Sequence, residues 1–193
     1  KLRYVRMGGH EAMRGIAFVV RCPAWQTYHP AISNFSIEEG EDSFRASYDG
    51  EVDEASGSIS FHAEIAGSAT DGLKFSVAAR TGSDFETSRT GFVILHAVDG
   101  VAGQPCTILH VDGSAEETIF PDHVMPLQPF FDMRAITHEA ALGHRVTCRP
   151  CHSSKGNLVG AGNGLTSGGG IAAILQDKVI VVGGRLIGNG GER

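Results

Sequence analysis

Apolar and polar residues alternate with a period of two along most of the first 150 residues. In the segment from Ser58 to Ala66 the odd positions 59 to 65 are apolar, opposite Ser60, His62 and Glu64. Such alternation is typical of β-strands with one buried face. The pattern predicts eleven strands: Leu2–Arg6, Met13–Arg21, Ile32–Glu38, Ser43–Tyr48, Ser58–Ala66, Leu73–Arg80, Thr90–Val98, Cys106–Val111, Glu117–Phe120, Phe130–Glu139 and His144–Arg149.

Four Asp-Gly pairs separate these apolar runs, at positions 49–50, 71–72, 99–100 and 112–113. Asp-Gly between alternating segments is typical of tight hairpin turns. No segment before residue 150 has a helical period with capping residues. We therefore predict an all-β fold, a large antiparallel β-sandwich of the supersandwich kind, over residues 1–150.

The composition changes after Pro150. Twelve of the 26 glycines fall within residues 151–193, which contain no Phe, Tyr, Trp or Met. Too few apolar side chains remain to form an independent core. We predict a Gly-rich, poorly ordered tail with at most one hairpin, from Ile171 to Ile187, and little change in stability on its deletion.

Charge and length exclude several classes of partner. The net charge is −6 and the 16 Lys and Arg form no cluster, which argues against nucleic acid. No apolar run approaches the ~20 residues that span a bilayer, and no signal peptide is visible. The four cysteines form no secretory framework, so a reducing, cytoplasmic setting is expected. Because the chain opens with Lys1, the natural N-terminus is expected to lie upstream.

The richest polar chemistry lies in the segment Pro126–Glu139. Strand alternation from Phe130 would place Asp132, Arg134 and His138 on one face, on which successive residues are about 6.6 Å apart. A carboxylate, a guanidinium and an imidazole at this spacing predict a cleft for a small anionic or hydroxylated ligand. A salt-bridged strand exterior is the alternative.

Other polar residues extend this candidate site. Arginine can hold a carboxylate through two parallel hydrogen bonds, and a carboxylate or imidazole can act as a general base towards water. These groups suit the hydrolysis of a lactone or the binding of a polyol acid. The residues concerned are Arg89, Glu117, Asp132, Arg134, His138 and Glu139.

Two cysteines and a histidine form a separate motif. Cys148, Cys151 and His152 match the C-x-x-C-H pattern of covalent haem attachment, and with His144 they have the ligand types of a zinc site. Free thiols are the favoured interpretation, so no metal and no cofactor is predicted. Four further histidines lie on or beside neighbouring predicted strands without metal-binding spacing: His96, His110, His123 and His138.

Several motifs together resemble the D-apionate lactonase family. They are the segments 88–96 (SRTGFVILH), 100–105 (GVAGQP), 110–113 (HVDG) and 126–139 (PLQPFFDMRAITHE), with similar first strands in residues 2–21. The resemblance covers about residues 1–149 and implies that family's N-terminal β-sandwich. Five candidate residues fall in the matching motifs: Arg89, Asp132, Arg134, His138 and Glu139. Together with the polar pattern, this predicts catalytic roles for His138, Glu139 and Asp132, and substrate contacts for Arg89, Arg134, Glu117 and His96.

The predicted function follows from this resemblance. The chain is expected to be a fragment of a sugar-lactone hydrolase, of the D-apionolactone to D-apionate type, without the family's C-terminal part. Its ligand would be a small sugar acid or lactone; the oligomeric state is not predicted. One alternative is a non-catalytic carbohydrate-binding β-sandwich, with Trp25, Tyr28 and Phe131 stacking on sugar rings. The other is a c-type haem protein.

Overall fold

The computed structural model of the chain is all-β. It describes residues 1–7, 9–55, 57–68, 70–82, 85–123, 129–141, 144–152, 169–175 and 178–187. Within these ranges there are thirteen strands and no helix: Leu2–Met7 (β1), His10–Arg21 (β2), Ala31–Glu39 (β3), Ser43–Glu54 (β4), Gly57–Ser68 (β5), Gly72–Thr81 (β6), Arg89–Leu95 (β7), Pro105–His110 (β8), Ala115–Ile119 (β9), Met133–Ala141 (β10), His144–His152 (β11), Gly169–Leu175 (β12) and Lys178–Ile187 (β13).

Two sheets contain these strands. The smaller has the order β1-β2-β7, and the larger has the order β3-β4-β5-β6-β12-β13-β11-β10-β8-β9. Neighbouring strands run antiparallel except where β13 pairs in parallel with β6 and β11. Strands β12 and β13, from the Gly-rich segment, pair with each other and lie between β6 and β11. Residues 153–168 and 188–193, where a poorly ordered tail was predicted, lie outside the described ranges.

The two sheets pack face to face through the apolar sides of their strands. Alternate residues of β5 and β6 are buried, as the alternation predicts, including Ile59 and Phe75. The ring of Phe18 on β2 lies 5.0 Å from Phe61 on β5, and Phe92 on β7 lies 5.1 Å from Phe75 on β6. Each such buried side chain stabilises the fold by roughly 1.5–3 kcal/mol. The predicted all-β sandwich is therefore confirmed.

All eleven strands predicted from alternation are present as β1 to β11, but one predicted turn is wrong. Asp49-Gly50 lies in the middle of β4, paired with His62 and Phe61 of β5. Gly50 is needed there because a Cβ atom would come 2.2 Å from the Phe61 ring. Asp49 instead accepts hydrogen bonds from Asn34 and His62 on the neighbouring strands. The other three Asp-Gly pairs lie at turns.

Strand β10 begins at Met133, three residues later than predicted, and its start is irregular. The pairing with β8 shifts by one residue between Met133 and Ala135. Such a bulge puts two residues opposite one and changes which side chains share a face. As a result Arg134 is exposed, whereas Ile136 and His138 are buried. The single polar face predicted for Asp132, Arg134 and His138 is therefore not formed.

None of the described segments forms an apolar helix of the length needed to cross a membrane.

Candidate functional site

A cleft of about 1120 Å³ lies between the start of β2 and the strands β8 to β11. Strand β2 contributes His10, Glu11 and Arg14, and the loop after β7 contributes Ala97, Asp99 and Gly100. The opposite wall is formed by residues of β8, β9, β10 and β11. The cleft thus joins both sheets, and its polar groups come from parts of the chain more than 100 residues apart.

Charged groups of both signs line this cleft. Its carboxylates are those of Glu11, Asp99, Glu117 and Glu139, and its guanidinium groups are those of Arg14 and Arg145. Glu139 on β10 and Arg145 on β11 are direct partners in the antiparallel ladder. The side-chain oxygens of Glu117 accept hydrogen bonds from the Thr107 hydroxyl at 2.9 and 3.0 Å. Carboxylates and arginines at this density suit a ligand with several hydroxyl groups and a carboxylate.

His138 lines the cleft as a buried imidazole. The residue is 3% exposed, and neither ring nitrogen makes a hydrogen bond of normal geometry within the described residues. Its ring packs edge-on against His96, with 4.8 Å between centroids, and against Phe120 at 5.2 Å. His96 Nδ1 is also buried without a partner. Buried polar atoms are nearly always hydrogen-bonded, so these ring nitrogens are available to a water molecule or a ligand in the cleft.

Burial keeps both imidazoles neutral. It lowers the pKa of His96 to about 3, with a smaller contribution from the nearby His138 ring. It also lowers the pKa of His138, although an interaction with the Glu139 backbone partly opposes this. Removing a charged form from water is the dominant cause in both cases. At neutral pH each ring can therefore donate one hydrogen bond and accept one.

The Cys106 thiol faces the same region but is not activated. Cys106 on β8 is the ladder partner of His138 and lines the cleft. Burial, with the carboxylates of Glu116 and Glu117, raises the pKa of this thiol to about 11. Since the thiolate is the reactive form, Cys106 is no nucleophile at neutral pH.

Arg14 is held at the entrance by local contacts. Its Nε forms an ion pair with Glu11, which is three residues earlier on β2, and its guanidinium lies 5.7 Å from the centre of the Tyr4 ring. The hydrogen bond to Glu11 is the main cause that raises the pKa of Arg14. The side chain remains half exposed, so it is available to an incoming anion.

Three of the residues predicted from sequence line the cleft: Glu117, His138 and Glu139. A fourth, His96, packs on the ring of His138. The other three lie outside the cleft lining. Arg89 stacks on Trp25, with 5.5 Å from its guanidinium carbon to the ring centre. Asp132 and Arg134 are exposed near the bulge, where no described hydrogen bond or ion pair joins their side chains to those of the cleft.

Sequence reasoning missed five of the carboxylate, guanidinium and imidazole groups of the cleft: His10, Glu11, Arg14, Asp99 and Arg145. His10 and Glu11 precede the predicted strand Met13–Arg21, and Arg14 is a single charged residue near its start. Arg145 is likewise a single charged residue at the start of a predicted strand. No local spacing connects them, because the packing of β2 near β10 brings them together.

The described residues do not support a metal or haem site at the histidine and cysteine motifs. Among the residues described, no group of three or more His, Cys, Asp or Glu side chains could hold a metal ion. Of the four histidines beside neighbouring strands only His96 and His138 meet, while His110 pairs with Glu116 at 3.1 Å. Cys148 is buried in the core. The side chains of His144, Cys151 and His152 lie outside the described set.

Comparison with known proteins places this domain in a family. The family described as "D-apionate lactonase, N-terminal domain" matches residues 1–150. A D-apionate lactonase of Brucella anthropi is 39% identical over 150 residues, which cover 77% of this chain and 24% of that relative. The chain therefore spans about a quarter of the relative's length, and no solved structure shows a significant match. Since the family match covers most of its residues, the chain belongs to the D-apionate lactonase family, through the N-terminal domain of that family.

Proposed function

We propose that this chain is the β-sandwich part of a sugar-lactone hydrolase of the D-apionolactone to D-apionate type. In this proposal the cleft binds the lactone or the sugar acid formed from it. The observation that carries it is the buried imidazole of His138, whose ring nitrogens have no hydrogen bond of normal geometry to any described residue, in a cleft that also holds four carboxylates and two arginines. Membership of a lactonase family selects this ligand class among small polyhydroxylated acids.

The chemistry of lactone hydrolysis assigns roles to these groups. Water attacks the carbonyl carbon, the ring C–O bond breaks, and the ring oxygen takes up a proton; the product is a carboxylate, a new hydroxyl and one released proton. The neutral ring of His138 can accept a proton from water. Glu139, the next residue on β10, lines the same cleft from the other face of the strand. His96 packs on the His138 ring and acts as a positioning residue.

Arginines of the cleft fit the carboxylate of the product. Arg14 and Arg145 lie on different sheets that meet at the cleft, and a guanidinium binds a carboxylate through two parallel hydrogen bonds. Glu117 can accept hydrogen bonds from sugar hydroxyls. In this proposal Arg14 and Arg145 bind the anion. The roles predicted from sequence for Arg89, Arg134 and Asp132, which lie outside the cleft, stay predictions.

A cytoplasmic setting is also part of the proposal. The described cysteines Cys22, Cys106 and Cys148 are all free thiols. Secreted domains of this size usually pair their cysteines, so free buried thiols favour a reducing compartment.

Binding and acid release test the proposal together. We expect calorimetric titration with D-apionate to show binding that falls about tenfold or more in Arg145→Ala, because loss of a charge-assisted pair costs about 1.5–3 kcal/mol. Arg80→Ala, on β6 away from the cleft, is the matched control and should bind normally. Arg134→Ala tests the prediction made from sequence: a loss equal to that of Arg145→Ala would move the site to the start of β10.

A second titration separates catalysis from binding. Proton release from D-apionolactone is followed at constant pH for the chain and for His138→Gln. Turnover that is lost in His138→Gln supports a catalytic role for the imidazole. Binding of D-apionate without any turnover would assign this chain a recognition role, and absence of both would contradict the proposal.

A non-catalytic carbohydrate-binding β-sandwich is the second candidate. Trp25 is 55% exposed, its φ angle is +67°, and the turn that holds it is closed by hydrogen bonds between Cys22 and Trp25 and between Cys22 and Gln26. A left-handed conformation is costly for a non-glycine residue, so its retention here is consistent with display of the indole. The stacked guanidinium of Arg89 makes this surface a second place for a sugar acid.

The haem alternative is disfavoured by the position of Cys148. Covalent attachment needs both thiols of the motif to reach one porphyrin. Cys148 is 1% exposed within the sheet, and burial raises the pKa of its thiol. A thiol in that position is inert towards an external partner.

A further inference from the structure

The first strand of the large sheet, β3, carries three apolar side chains that nothing in the described part of the chain covers. Ile32, Phe35 and Ile37 are 53%, 65% and 53% exposed. Single exposed apolar residues are normal on a protein surface, but three on one strand form a patch that indicates an interaction. We call this patch the β3 apolar face.

Strand register places the β3 apolar face on the core side of the sheet. Ile32 pairs with Gly50 and Ile37 pairs with Ala46, and both partners are buried. Paired residues of antiparallel strands point to the same side. A bulge between Ser33 and Ser36, where Asn34 has a φ angle of +51°, brings Phe35 to that side as well.

The opposite side of β3 is polar, as expected for the outer surface. Asn34 Nδ2 donates a hydrogen bond to Asp49 at 2.7 Å, and His62 Nδ1 lies 2.7 Å from the other oxygen of Asp49. The large sheet therefore keeps an apolar inner side and a polar outer side as far as its edge strand β3. Among the described residues, no layer covers the inner side of β3.

Stacking of the two sheets shows where the covering layer stops. Strand β7 lies over β6 through Phe92 and Phe75, and β2 lies over β5 through Phe18 and Phe61. The chain just before β1 reaches β4, where the Lys1 amino group is 3.3 Å from the Tyr48 hydroxyl, and Leu2 and Val5 of β1 pack against the core. The small sheet therefore extends over the large sheet from β6 towards β4. The next position, over β3 and beside β1, is empty within the described residues.

We infer that a fourth strand adds to the free edge of β1 and packs its apolar side on the β3 apolar face. This strand comes from the larger portion of a full-length D-apionate lactonase. The aligned segment is only 24% of the Brucella anthropi relative, so three times as much chain is available there to supply it. Main-chain hydrogen bonds to β1 would set the position of the added strand, and its alternate apolar side chains would cover the β3 apolar face. The inference depends on family membership and not on the proposed ligand.

A full-length chimera tests this inference. Residues 1–150 of this chain replace the aligned quarter of the Brucella anthropi relative, and Phe35→Lys is compared with Ser36→Lys, which changes the outer side of the same strand. In this chain alone both variants should shift the midpoint of thermal unfolding by about 2 °C or less, as surface substitutions do. In the chimera we expect Phe35→Lys to lower the midpoint by several degrees more than Ser36→Lys.

Three outcomes would overturn the inference. The first is an equally small effect of Phe35→Lys in the chimera and in the chain alone. The second is a dimer of the isolated chain that Phe35→Lys dissociates, which would make a second copy the occupant. The third applies if the chimera does not fold, and it is measured by hydrogen exchange in the intact relative. Every amide of the strand aligned with β1 should then be protected from exchange. Rapid exchange of alternate amides in that strand would refute the added strand.

Discussion

At the residue scale, Gly50 shows how one side chain's absence allows another to pack. Its partner Phe61 lies across it and contacts both Phe18 and Tyr48, at 5.0 and 6.3 Å between ring centroids. A glycine inside a strand usually weakens it. Here the missing Cβ creates the space that the aromatic ring occupies, so the glycine supports the core.

Replacing this glycine gives a first prediction. Gly50→Ala should lower the free energy of unfolding by about 1–3 kcal/mol, because its Cβ would lie 2.2 Å from Phe61 Cζ and the rigid ring must shift. Gly15→Ala is the matched control: it is also inside a strand, and the nearest atom to its Cβ would be the Leu2 carbonyl oxygen at 3.5 Å. Urea unfolding of both variants measures the difference. Equal stability of the two would mean that the Phe61 ring is not held over Gly50.

At the element scale, aromatic pairs join the two sheets. Phe75 on β6 is 0% exposed and contacts Phe92 on β7, whereas Phe131 just before β10 is 58% exposed. Both look alike in sequence, as phenylalanines in or beside predicted strands. Their difference comes from the late start of β10, which leaves Phe131 in the preceding segment.

Truncating these two phenylalanines tests the packing of strands. Phe75→Ala should cost about 3–5 kcal/mol of stability, since it leaves a cavity between the sheets. Phe131→Ala should change stability by about 0.5 kcal/mol or less, as is usual at the surface. Chemical unfolding with tyrosine and tryptophan fluorescence measures both. A large loss in Phe131→Ala would show that this segment is covered in solution.

At the scale of the whole molecule, the cleft is a product of packing between sheets. It gathers residue 10 from β2 and residue 145 from β11, and it is lined by the buried imidazole of His138, which packs on the partly buried His96. Both pKa values are lowered from the usual 6.5. Folding therefore excludes protons that the unfolded chain would bind, and this couples global stability to pH.

The direction of this coupling is a further prediction. Above pH 6.5 the two imidazoles are neutral in both states and their contribution is fully present; as pH falls below 6.5 the unfolded state takes up protons and stability decreases. For His96 the slope should approach about 1.4 kcal/mol per pH unit, and His138 contributes in the same direction. His96, with a folded pKa of about 3, stays neutral throughout the range from pH 6 to 4.5.

Variants at two histidines measure this effect. His96→Phe should flatten the fall in unfolding free energy between about pH 6 and 4.5, because one titrating group is removed and an aromatic ring still packs on Phe120. His29→Phe, at an exposed position, should leave the slope unchanged. Asp49 and Asp112, whose pKa values are lowered by hydrogen bonds, contribute only at lower pH. An unchanged slope in His96→Phe would contradict the burial of His96.

Much of the fold could be predicted from the sequence because strand alternation is local. The buried faces of β5 and β6 follow directly from the alternation in their own residues. The site could be predicted only in part. Glu117, His138 and Glu139 were singled out because ionisable groups concentrate on or beside their strands, and all three line the cleft. Arg14 and Arg145 carry no local signal.

The sequence by itself determined the all-β class, the position of eleven strands and the family, since hydrophobic period and short motifs are properties of neighbouring residues. Tertiary structure decided the rest. The bulge at the start of β10 put Arg134 and His138 on opposite faces of the strand. The Phe61 ring requires a glycine at position 50, inside a strand. The packing of β2 near β10 formed the cleft. Each of these depends on contacts between residues distant in the chain, which a local pattern does not encode.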